Sequence, residues 1–115
     1  MWLMVSGPYT AGAASPEQRR ANLRAMNAVA VELFRRGHVP VIGVNMALPM
    51  IDAAGEGAFD ELMMPVSLAL VERCDACLRI GGASKGADDE AMAFRRRGKP
   101  VFTALDQVPA ATDRA

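Results

Sequence analysis

Aromatic residues are scarce in this chain: one Trp, one Tyr and four Phe, 5% of 115 residues. Apolar residues nevertheless make up 51%, so the core must be built from aliphatic side chains, Ala and Met. Charge of one sign is lacking too, since 13 basic side chains meet 13 acidic ones. That balance excludes a general nucleic-acid binder, which needs an excess of Lys and Arg. No segment approaches the roughly 20 apolar residues of a membrane span. The apolar N-terminus stops at Ser6-Gly7-Pro8 and has no basic flank, unlike a secretory signal. A soluble, cytoplasmic protein with no membrane partner is the expectation.

Cysteine and histidine are equally sparse. Cys74 and Cys77 form a C-x-x-C pair, but zinc would need two further ligands, and the single histidine, His38, is distant in sequence. A redox pair sits where a strand feeds a helix N-terminus, whose dipole lowers the thiol pKa. This pair lies where a helix ends and a strand begins. Two buried structural cysteines are expected, with no metal and no cofactor.

What is present is an alternation of strands and helices in one domain, residues 1–105, followed by a polar tail, 106–115, with no core to join. WLMVS (2–6) is a strand broken by Gly7-Pro8. Ser15, Pro16 and Gln18 combine a cap, a first-turn proline and a capping-box partner. Leu23, Met26, Ala30 and Leu33 then recur at helical spacing until Gly37. HVPVIGV (38–44) predicts the second strand. Residues 45–57, rich in Ala, Gly and Met without a clear period, predict a long loop. A helix is expected over 59–73, kinked or divided by Pro65. Strands at 75–80 and 100–105 flank a helix at 86–97. Met46, Met50, Met63 and Met64 are expected to be core methionines, with packing between subunits as the alternative.

Strands separated by helices of this length imply an α/β fold, a Rossmann/flavodoxin-like three-layer sandwich around a mainly parallel sheet of four to five strands. Ligands of such sheets bind beyond the carboxyl ends of the strands, at the switch in strand order. The stretch GGASKGADDE (81–90) follows the third strand and is therefore at that place. Ala87, Ala91 and Phe94 define the inner face of its helix, and Glu90 flanks that face. Glu90 is then either a functional carboxylate, able to attack a carbon beside an anchored polar ligand, or an acid bonding the first-turn amides. Gly86 lets a ligand approach the backbone, and Ser84 supplies a hydroxyl.

SGPYT after the first strand, RCDA before the third, then SKGADDE with its Ala-rich helix and RGKPV follow one another over nearly the whole chain. In that order and spacing the chain resembles the nucleoside 2-deoxyribosyltransferase-like superfamily, which includes deoxynucleoside 5′-monophosphate N-glycosidases. The resemblance implies cleavage or transfer at an N-glycosidic bond, with Glu90 as the nucleophile on the anomeric carbon. It implies that Ser84 and Gly86 hold the sugar or its phosphate, and that Gly7, Pro8 and Tyr9 line the pocket. The ligand would be a nucleoside or nucleotide, and the protein a homo-oligomer. Active relatives carry an assisting aspartate eight residues before the strand-entry acid. Counting back from Asp75 gives Ser67, which keeps a non-catalytic nucleotide-binding module of the same fold as the alternative. Asp52, Asp60 and Asp88 are nearby acids, but none sits at that place. The paired glycines also resemble those of nucleoside monophosphate phosphoribohydrolases, although the spacing fits less well.

Overall fold

The computed structural model describes residues 1–55 and 57–111. Four strands, β1 (Trp2–Ser6), β2 (Val39–Val41), β3 (Ala76–Arg79) and β4 (Val101–Phe102), form one sheet in the order β2-β1-β3-β4. Every pairing is parallel. The helices are α1 (Pro16–Arg35), α2 (Gly43–Ala54), α3 (Phe59–Val71) and α4 (Lys85–Arg96). This is the expected α/β three-layer architecture, with all four strands parallel.

Side-chain alternation divides the core in two. Leu3, Val5, Ala76 and Leu78 face Met26 and Leu33 of α1, while Met4 and Cys77 face Val71 of α3 and Phe94 of α4. Ser6 shares the parity of Met4, so it points to the α3–α4 side. The strand order reverses between β1 and β3, and both carboxyl ends open there.

Local signals behave as expected in α1. Ser15 Oγ accepts from the Gln18 amide at 3.2 Å, and Gln18 Oε1 accepts in return from the Ala14 amide. Pro40 is tolerated because β2 is an edge strand, so one side of its backbone needs no ladder partner. β2 ends at Val41 because Ile42 already serves as the N-cap of α2.

The expected loop over 45–57 is instead α2 through Ala54, with Glu56 outside the described residues. Its helical period is masked because apolar residues occupy the outer side as well. Met46 and Met50, 52% and 42% exposed, lie there rather than in a core. Burial of Gly43 and Ala47 determines this helix, which has no capping side chain. Pro65 likewise leaves α3 a single helix. Both Pro65 and Glu61, the residue whose carbonyl loses its partner, are exposed, so water can satisfy that carbonyl.

The C-terminal segment is not a detached tail as far as Ala111. Val108 is 4% exposed and belongs to the α1-side core. The His38 ring donates from Nε2 to the Pro109 carbonyl at 2.7 Å, and the Ala111 amide donates to the Arg36 carbonyl at 3.0 Å. Gly37, at φ +96°, leaves room for Ala111, whose Cβ would lie 2.9 Å from any Cβ at position 37. Residues 112–115 lie outside the described residues. Val108→Ala is expected to destabilise the fold by about 2 kcal/mol, a cost that a detached tail could not incur. A urea midpoint unchanged from the wild-type value would refute this docking.

Candidate functional site

A cleft of about 290 Å³ opens at the switch point between β1 and β3, near the lower end of the roughly 300–1,000 Å³ usual for small-molecule sites. Of the expected site residues, Gly7, Tyr9, Ser84, Gly86 and Glu90 line it. Pro8 does not. Its ring lies against Gly81, where an added Cβ would come within 2.7 Å of Pro8 Cδ. Pro8 thus locks the β1 loop to the β3 loop from outside the cleft.

Glu90 is only 8% exposed. Burial pushes its carboxyl above the ordinary glutamate value, opposed by hydrogen bonds from the Ser67 and Ser6 hydroxyls and then by the more distant Arg79 charge. Glu90 makes no ion pair among the described residues. Nor does it cap α4. That task falls to Ser84, whose Oγ accepts from the Ala87 amide at 3.2 Å, so the capping-acid reading of Glu90 is set aside. The hydroxyl hydrogen of Ser84 stays available to a ligand.

Several supporting residues were not legible as such. Ser67, eight residues before Asp75, is 2% exposed and is a donor to Glu90. Its seat requires Gly43, because a Cβ there would fall 1.9 Å from Ser67 Oγ. Ser6 also bridges to the Cys77 thiol at 3.4 Å. Strand alternation could have located Ser6, but no local pattern could have located Gly43. Arg79, opposite Ser6 in the β1–β3 register, fastens the glycine loop. It bonds Asp88 at 3.1 Å and the Gly82 carbonyl at 2.9 Å.

The remaining lining is more apolar. Tyr9 borders the cleft and also packs against the α1-side core. Asn22, from α1, donates to the Tyr9 carbonyl at 2.8 Å and so holds the loop rather than the ligand. Gly86 faces the Met64 methyl, 3.0 Å from where a Cβ would sit. Any larger residue at 86 would press on this wall. Cys74 and Cys77 are buried free thiols. Burial raises both pKa values, that of Cys77 to about 11, which suits structural cysteines rather than a reactive pair.

Residues 2–105 match the family model described as a domain of unknown function, DUF1937. The chain belongs to this family. Among curated proteins no match is found. The DUF1937 match covers every strand and helix named above, and therefore the whole cleft. Among the described residues no cluster of His, Cys, Asp and Glu could hold a metal ion. No described helix is long and apolar enough to cross a membrane.

Proposed function

We propose that the protein cleaves, or transfers across, the N-glycosidic bond of a nucleoside or nucleotide, with Glu90 as the nucleophile. One observation carries this reading: a nearly buried carboxylate, held by two hydroxyls and no cation, faces a small-molecule cleft at the switch point. In the ionised form one carboxylate oxygen attacks the anomeric carbon. The carbon–nitrogen bond breaks, its electron pair leaves with the base, and the base takes a proton from solvent. Water, or a second base, then displaces Glu90 from the glycosyl ester and restores the carboxylate. Ser84 and the backbone at Gly86 hold the sugar or its phosphate, and Tyr9 borders the base. The resemblance of SKGADDE to the superfamily motif supports the same assignment.

The test is chromatographic. Purified protein is incubated with deoxynucleosides, ribonucleosides and their 5′-monophosphates, with and without an acceptor base. Release or exchange of base is the expected result. A folded protein that releases nothing across the panel would refute it. Ser67 favours a second reading, a module that binds such ligands without cleaving them, because no acid stands there to assist the leaving base. Ligand-dependent thermal stabilisation without release is the outcome that reading requires.

Ser67→Ala distinguishes the role of that hydroxyl. Loss of a donor to the carboxylate should cost about 2 kcal/mol at neutral pH. It should also move the acid limb of the pH–rate profile upward, since the bond lowers the Glu90 pKa. An unmoved limb would show that Ser67 does not act on Glu90. A homo-oligomer fits the exposed Met46 and Met50 on α2, and light scattering that shows a monomer at high concentration would exclude it.

A further inference from the structure

Asp60 stands in the first turn of α3 and lines the cleft. Among the described residues its carboxylate takes part in no ion pair and caps no helix. Asp60, Met63, Met64 and Ser67 recur at i, i+3, i+4 and i+7, so a single stripe of α3 forms this wall. Seven residues of helix rise by about 10 Å. The wall therefore runs from the Ser67–Glu90 contact, past two methionines, to a carboxylate with no partner. A ligand with its reacting carbon beside Glu90 would have Met63 and Met64 along its body and Asp60 at its far edge.

An ionised carboxylate only accepts hydrogen bonds. It attracts N–H donors and repels carbonyl oxygens. Resting on the N-glycosidase reading above, we propose that Asp60 determines specificity, selecting bases that carry an amino group on their outer edge over counterparts that lack it. Carboxylates read the exocyclic amine of cytosine in the same way where proteins contact DNA. A first-turn acid also complements the helix dipole, but that affects stability and not the choice of ligand.

The experiment compares wild type with Asp60→Asn on two matched pairs, deoxycytidine against deoxyuridine and deoxyguanosine against deoxyinosine. Each is used as nucleoside and as 5′-monophosphate. Affinity is read by calorimetry and base release by chromatography. Wild type should favour the amino-bearing member of each pair about tenfold or more, the scale of one charge-assisted hydrogen bond. The Asn side chain, both donor and acceptor, should reduce that preference to about twofold or less. Release without a preference, or a preference that persists in the variant, overturns the role of Asp60 and leaves the N-glycosidase reading intact. Preferential binding without release upholds Asp60 and overturns catalysis. Neither binding nor release overturns both.

Discussion

Glu90→Gln is expected to lower base release by about 10³-fold or more, because an amide cannot form the glycosyl ester. The same substitution should stabilise the fold at neutral pH. Burial raises the Glu90 pKa in the folded state, ahead of the opposing serine hydrogen bonds. Between the ordinary glutamate value and the raised one, the folded state binds more protons than the unfolded state. Stability therefore falls as pH rises through that window. Gln carries no charge to desolvate, so the variant should melt above wild type at pH 7, and the gap should close below the ordinary glutamate pKa. Thermal melts across pH 4–8 measure this directly. A variant that is less stable at pH 7 would mean that the serines overcompensate for burial. Lost activity with gained stability is the usual signature of a group retained for function.

Gly43→Ala should be damaging out of proportion to the single methyl group it adds. Rotation of the Ser67 side chain could relieve the 1.9 Å approach to Oγ, but Ser67 Cβ at 2.9 Å and Cα at 3.2 Å cannot rotate away. α2 and α3 must separate. Overpacking of this kind costs about 1–3 kcal/mol, lowering the melting temperature by roughly 5–15 °C. It also withdraws the Ser67 hydroxyl from Glu90, so the pH–rate profile should shift as in Ser67→Ala. Gly43→Ala combined with Ser67→Gly should cost less than the sum of the two single changes, because removing the Ser67 Cβ relieves the strain that Gly43→Ala introduces. Additive losses in that cycle would place the strain elsewhere.

The motif GGASKGADDE was legible because its information is local. Ser84 caps α4, and Ala87, Ala91 and Phe94 face inward at helical spacing, which turns Glu90 toward the strand ends. The fold class was legible for the same reason: WLMVS and DACLRI are short apolar runs separated by helices, and parallel pairing follows from that alternation. The capping of α1 by Ser15 and Gln18 needed only neighbouring residues. By contrast, α2 lacks a cap and a clear period, and it forms because Gly43 and Ala47 are buried by partners distant in sequence. The docking of Val108 and the lock between Pro8 and Gly81 depend in the same way on contacts across the fold.

Ser67 shows the division most clearly. Its place eight residues before Asp75 is plain in the sequence, but only the packing of α3 against Gly43 and α4 made it a partner of Glu90. By itself the sequence determined which carboxylate turns inward and at which end of which strand. The tertiary structure decided what surrounds that carboxylate, because burial desolvates it and its hydrogen-bond donors are Ser6, on β1, and Ser67, on α3. Local periodicity orients a side chain, but no local pattern records the company it meets across the fold.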